Sequence, residues 1–348
     1  MKYCFTISAI ILFVFASSAL LNSCKKTDSK KRPTIVSFDV PPGFPQPQYN
    51  FTANPLTKEA IQLGQKLFYE DRLSKDRQTS CASCHQQIGS FTTYQHDRSH
   101  GYNGSHTLRN AIALSNLAWQ KEFRADGGVT SLEEISLAHI IAPDEMAETM
   151  NNVIDTLKAD SKYRQLFTAA YGDQNITSQR ILDALKQYLL TMVSAGSKYD
   201  KVKKGEASFT VFEEMGYALF KTKCASCHTE PLFTDFSYRN IGLPVASFLL
   251  DFGKMRVTGN RNDSLKFRVP SLRNVDFSSH YFHDGRYSSI QRSINHYRFD
   301  VEQSNTLDPS LVNGISLSDT DVINLVAFLR TLSDSAYVKD PRFAKPTF

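Results

Sequence analysis

The residues best suited to chemistry are four cysteines in two identical pentapeptides, Cys81-Ala-Ser-Cys84-His85 and Cys224-Ala-Ser-Cys227-His228. Cys-x-x-Cys-His is the spacing used for covalent attachment of haem. Two thiols one turn apart add to the two vinyl groups, and the imidazole that follows is placed to ligate iron. Other uses of paired cysteines fit less well. A zinc ribbon sets its two pairs only ~15–20 residues apart and needs no trailing histidine, whereas these pairs lie in different halves of the chain. A thioredoxin-like pair needs a βαβ setting, and the flanking residues read as helical. Two sites of haem attachment, with His85 and His228 on the irons, are therefore expected.

The repeat extends beyond the pentapeptide. Leu63-Gly64-Gln65-Lys66-Leu67-Phe68 precedes the first motif, and Met215-Gly216-Tyr217-Ala218-Leu219-Phe220 precedes the second. Both are amphipathic helix fragments with glycine at the same place, so each is expected to pack against its haem. Downstream, Arg109-Asn110 answers Arg273-Asn274, and the segment from Asp126-Gly127 answers that from Asp284-Gly285. Landmarks recurring in one order mark duplicated units, each building one haem pocket.

Between the halves, Ile181, Leu185, Tyr188, Leu189 and Met192 follow helical spacing. Ser318 and Asp321 form a capping-box pattern that opens a helix running through Leu332. No long alternating strand pattern is present. The expected fold class is mainly α: two cytochrome c-like domains related by internal duplication, each holding one haem, over residues 57–200 and 201–348.

The first residues read as an export signal. Met1-Lys2 leads into an apolar run from Ile7 to Leu21, too short to span a membrane, followed by Leu21-Asn22-Ser23-Cys24. This resembles a bacterial lipobox, which makes residues 1–23 a lipoprotein-type signal peptide and Cys24 the acylated first residue of the mature chain. Lipid on Cys24 would hold the protein at a membrane face outside the cytoplasm. A plain secretory signal is the alternative, but it leaves Cys24 an unpaired thiol in an oxidising compartment. Residues 24–56, rich in lysine and proline, cannot bury enough apolar surface to fold alone and read as a flexible tether. The net charge of +5 comes with no long basic run, so nothing suggests a nucleic-acid partner.

From about Pro55 to about Ser333 the chain resembles the bacterial diheme cytochrome c peroxidases and the related MauG proteins. The residues that carry the likeness are the paired Cys-Ala-Ser-Cys-His, Phe267-Arg-Val-Pro-Ser-Leu-Arg-Asn274, Tyr281-Phe-His-Asp-Gly285, Pro143-Asp-Glu-Met146 and Leu325-Val-Ala-Phe-Leu-Arg-Thr-Leu332. The resemblance implies that the first haem meets hydrogen peroxide while the second takes electrons from a small cytochrome c or cupredoxin. Peroxide cleavage consumes two electrons, and two irons store one equivalent each. It also implies a periplasmic setting and two covalent haems c; homodimerisation stays open.

Residue roles follow from the same resemblance. Glu145 is placed in the distal pocket of the first haem, where it could move a proton between peroxide oxygens. The plainer reading is a solvated carboxylate after Pro143. In the peroxidase branch a loop histidine binds the first iron and must leave; His100 lies nearest that place, with His96 and His106 in the same loop. His139 is a second candidate, because it follows Asp126 at the spacing by which Tyr297 follows Asp284. The family usually has proline there. For the second haem that count selects Tyr297, with His296 and Met255 as rivals; the peroxidase branch has Met here and the MauG branch Tyr. A phenolate favours ferric or higher states over ferrous iron. The resemblance also implies calcium on the Asn110 side chain and the carbonyls of Arg268 and Pro270, oxygens that suit this ion.

Two departures stand out. Ala125 occupies the position where the family usually has tryptophan between the haems, and Ile135 that of a pocket glutamine. The single tryptophan, Trp119, reads as a packing residue.

Overall fold

Six helices position the two motifs and their pockets: α1 (Lys58–Phe68), α2 (Leu132–Ile141), α3 (Ser178–Leu190), α4 (Val211–Lys223), α5 (Ile290–Phe299) and α6 (Asp319–Arg330). The computed structural model describes residues 32–347, so the signal segment, Cys4 and Cys24 lie outside the described residues. Among the described residues no helix is long and apolar enough to cross a membrane.

Each half is built on one helix pair. In α1 the apolar stripe Ala60, Leu63, Gly64, Leu67 and Phe68 is buried, Thr57 caps the first turn through Ala60 N, and Lys66 lies in the last turn. That stripe packs on α3, whose Ile181, Leu185 and Tyr188 face it. In the second half α4 begins with a capping box between Thr210 and Glu213 and buries Gly216, Tyr217 and Phe220. It packs on α6 through Val322, Leu325, Phe328 and Leu329. Each buried aromatic or leucine contributes roughly 1.5–3 kcal/mol.

The two halves also repeat a tight turn. Phe123 pairs with Val129 and Tyr281 with Tyr287. Inside each turn an aspartate, Asp126 or Asp284, accepts from the amide two residues on. The glycines between, Gly127 and Gly285, adopt φ of 74° and 70°, which glycine tolerates without steric cost. Ser131 and Ser289 then cap α2 and α5. The strands are two-residue pairs, β1 (Ile35–Val36) with β2 (Leu56–Thr57) and β3 (Tyr238–Arg239) with β4 (Phe267–Arg268). The mainly helical, duplicated cytochrome c fold expected from the sequence is the fold observed.

Two apolar clusters result, one centred on α1 and α3 and one on α4 and α6. Residues from Pro33 onward nevertheless form one compact unit. A buried ion pair, Arg273 Nη1 and Nη2 to the Asp200 carboxylate at 2.9 Å each, ties the second core. Arg109 of the first half donates to Asp126 at 2.6 Å and to Asp251 of the second half at 2.6 and 2.8 Å.

The tether reading fails over residues 33–56. Phe38, Val40, Phe44, Tyr49 and Phe51 pack on the first cluster. Phe38 stacks on Phe51, and Trp119 Nε1 donates to the Pro45 carbonyl at 2.7 Å. The segment has too little apolar surface to fold alone, but its aromatics can cover a core that other residues have built. The C-terminal end behaves likewise: Tyr337 and Phe343 join the first cluster, and Tyr69 Oη donates to the Phe343 carbonyl at 2.6 Å. The first core therefore draws on residues beyond the 57–200 span expected for it.

Candidate haem sites and distal pocket

The first motif forms one helical turn, Cys81–Cys84, closed by a reciprocal bond between Ser80 and Ser83. His85 places Nδ1 2.9 Å from the Phe91 carbonyl, which assigns the proton to Nδ1 and leaves Nε2 as the donor for a metal. Cys81, Cys84 and His85 line a cavity of about 370 Å3, together with Leu185 and Leu189 of α3 and with Ile135, His139 and Glu145. These motif residues lie deep in the protein yet keep accessible surface, as residues facing an internal space do. Burial pushes the Cys81 thiol up to about 12 and Cys84 up to about 11, and pushes His85 down to about 4. Neutral thiols and a neutral imidazole suit thioether attachment and iron ligation. Among the described residues no group of three or more His, Cys, Asp or Glu is arranged to hold a metal ion by itself.

Arg256 and Arg268 also line this cavity. Arg268 is buried, with Nε donating to the Arg124 carbonyl at 3.3 Å. Cations at the edge of an apolar slot suit the two carboxylates of a haem. The resemblance marked Arg268 only for its carbonyl oxygen as a calcium ligand, and nothing in its spacing signals this second use.

In the second motif Cys224 ends α4, and burial pushes its thiol up to about 12. His228 Nδ1 lies 3.2 Å from the Phe233 carbonyl and 3.1 Å from that of Pro270, again leaving Nε2 free. Tyr297, on α5, is enclosed close to both Cys224 and Cys227. Burial raises its phenol pKa, and those two sulfurs raise it further. His296 points elsewhere: it is fully buried and sets Nε2 2.9 Å from the Ile241 carbonyl. Met255 opens a short helix whose next residue, Arg256, belongs to the first cavity.

Within the lining of the first cavity, His139 Nδ1 and Glu145 Oε2 are hydrogen-bonded. The Glu145 backbone is held by the Ala142 carbonyl at 3.1 Å and by Tyr102 N at 2.6 Å. The structure thus brings Glu145 and His139 to the site together, a pairing the sequence presented as two separate candidates. His100 is not brought there. It is exposed, contacts His96 and His106 at ring-centre distances of 5.0 and 4.3 Å, and lines a separate surface pocket with Lys75 and Tyr102. The reason lies next door: a side chain at Gly101 would fall 2.1 Å from the Asp144 carbonyl, so the loop is pressed against the outer side of the Asp144–Glu145 turn.

Ala125 and Ile135 line the first cavity where the resemblance leads one to expect tryptophan and glutamine. Trp119 is buried between Phe38 and Phe44 as a packing residue. Of the oxygens suited to calcium, Asn110 donates Nδ2 to the Asp97 carbonyl at 2.8 Å, which turns its Oδ1 the other way. Asn110 and Arg268 line the first cavity, while the Pro270 carbonyl faces His228.

Known proteins match both halves of the chain. A family model for di-haem cytochrome c peroxidase matches residues 58–208, and one for cytochrome c matches residues 213–333. The methylamine utilization protein MauG of Methylorubrum extorquens is 33% identical over 85% of this chain and 83% of its own length. The cytochrome c551 peroxidase of Nitrosomonas europaea is 31% identical over 80% of this chain and 81% of its own. A crystal structure of a MauG-like protein associated with microbial copper homeostasis superposes with a TM-score of 0.81 at 28% identity, covering 89% of this chain and 99% of that one. The chain belongs to the di-haem cytochrome c peroxidase and MauG family.

Proposed function

We propose that this protein reduces hydrogen peroxide to water at the first haem, using two electrons from a small cytochrome c or cupredoxin that enter through the second haem, and two protons. The observation that carries the reading is the asymmetry of the two sites. The cavity at His85 presents an acid–base carboxylate, Glu145, whereas the motif at His228 faces a phenol, Tyr297. When bound, haem supplies the redox chemistry. The residues supply the rest: His85 and His228 hold their rings by carbonyls, and Arg256 and Arg268 offer charge to carboxylates. Glu145 takes a proton from one peroxide oxygen and passes it to the leaving oxygen.

Two observations favour a second reading, in which peroxide is used to oxidise a protein or organic substrate. Tyr297 by the second motif would disfavour ferrous iron, and Ala125 leaves no aromatic ring at its own position. A diheme electron carrier is the third reading. The proposal includes export to the periplasm with a lipid anchor at Cys24, calcium at Asn110 Oδ1 with the Arg268 and Pro270 carbonyls, and haem domains bounded near residue 200. Steady-state peroxide consumption with reduced cytochrome c as donor tests it. Turnover supports the peroxidase, consumption only with another substrate supports the second reading, and no peroxide reaction at either haem leaves the carrier.

A further inference from the structure

The two halves place different side chains at one equivalent position. His139 on α2 and Tyr297 on α5 follow the same Asp-Gly turn, the same serine cap and the same helix length. Tyr297 lies beside the cysteines of its own motif, and His139 lines the same cavity as His85. The ring centres of His85 and His139 are 6.4 Å apart, with the planes at 71°.

That distance fits a metal held between the two rings. Two imidazoles on opposite faces of one metal ion, each with a metal–nitrogen bond of ~2 Å and a ring centre ~1 Å further back, put their centres about 6 Å apart. A histidine that only assists catalysis must leave room for peroxide between itself and the iron, and 6.4 Å leaves none.

The remaining nitrogens agree. His85 spends Nδ1 on the Phe91 carbonyl, and His139 spends Nδ1 on Glu145, so both rings have Nε2 left for a metal. A carboxylate on the outer nitrogen is the usual partner that orients a ligating histidine and raises its basicity. Glu145 is itself fixed, between the Ala142 carbonyl and Tyr102 N and against Gly101.

We infer that His139 closes the second face of the first haem as its resting axial ligand, and that Glu145 is the residue that positions it. The inference rests on the proposed haem at His85. It makes peroxide binding conditional on His139 swinging away. Because His139 belongs to a helix, it leaves by side-chain rotation and not by refolding of a loop. The same rotation breaks the bond to Glu145, so one movement opens the iron and frees the carboxylate for proton transfer.

The test uses the holoprotein and reads spin state, not turnover. In the ferric resting protein, EPR and optical spectra should show two low-spin haems. His139→Gly should turn one haem high-spin and leave the other unchanged, and added imidazole should restore the low-spin signal. Glu145→Gln should keep that haem low-spin while shifting its g values. Should His139→Gly fail to mature, the wild-type spectrum alone decides. A high-spin haem in the resting wild type, or a His139→Gly spectrum identical to it, overturns the inference but leaves the peroxidase proposal standing. A protein with no haem at all overturns both.

Discussion

Gly64 and Gly216 stand in the same relation to their partner helices: a side-chain carbon at Gly64 would fall 1.9 Å from the Ala184 carbonyl, and one at Gly216 would fall 1.9 Å from that of Asn324. Both clashes are with helix backbone, which cannot swing aside. Gly64→Ala and Gly216→Ala should each destabilise the protein by about 1–3 kcal/mol or more, read by thermal unfolding. Each should also perturb only the haem of its own half. A variant that melts like the wild type would contradict the packing described.

Tyr297 should govern the spectrum and potential of the second haem. Tyr297→Phe keeps the ring and removes the oxygen, so it should change the optical spectrum of that haem while leaving the first one as it was. Tyr297→Met should raise the potential, because a thioether favours ferrous iron. An unchanged spectrum in Tyr297→Phe would remove Tyr297 from the iron.

The Asp200–Arg273 pair should make stability fall in acid. Burial pushes the Asp200 carboxyl up, but Arg273 and the Ser197 hydrogen bonds outweigh it and hold the group below the ordinary carboxylate range. A carboxyl whose pKa is depressed in the folded state contributes stability above its unfolded value, ~4, and that contribution is lost as pH drops toward the folded value. Asp200→Asn should cost about 3–5 kcal/mol near neutral pH, because it leaves the buried Arg273 charge unpaired. Its melting temperature should depend less on pH below ~4 than that of the wild type. Parallel pH profiles for the two proteins would contradict the assignment.

Calcium at Asn110 predicts a chelator effect. Removing the ion with EGTA should lower the melting temperature, calcium should restore it and magnesium should not, since magnesium demands a tighter octahedral site. Asn110→Ala should already behave like the chelated protein. A melting temperature indifferent to EGTA would exclude the ion.

Much of this was legible from the sequence because thioether attachment needs two cysteines and a histidine contiguous in the chain, and because a duplication repeats every landmark in order. Counting along the repeat singled out Tyr297 and His139 as candidates from the sequence alone. The bond between His139 and Glu145 was not legible, since it depends on how α2 ends and on a turn clamped by Gly101 and Tyr102. His100 was misplaced for the same reason. Residues 33–56 were misread as a tether because their aromatics find partners such as Trp119 only after distant segments have assembled. The return of Phe343 to Tyr69 and Tyr188 likewise has no local signature.

Two iron porphyrins bonded to Cys81, Cys84, Cys224 and Cys227 underlie the whole account. Intact-mass spectrometry of the protein, produced in a host that matures c-type cytochromes and analysed under denaturing conditions, addresses this directly. The polypeptide should be heavier by two haem groups that survive denaturation. A polypeptide carrying no haem, or one whose haem dissociates on unfolding, would contradict it.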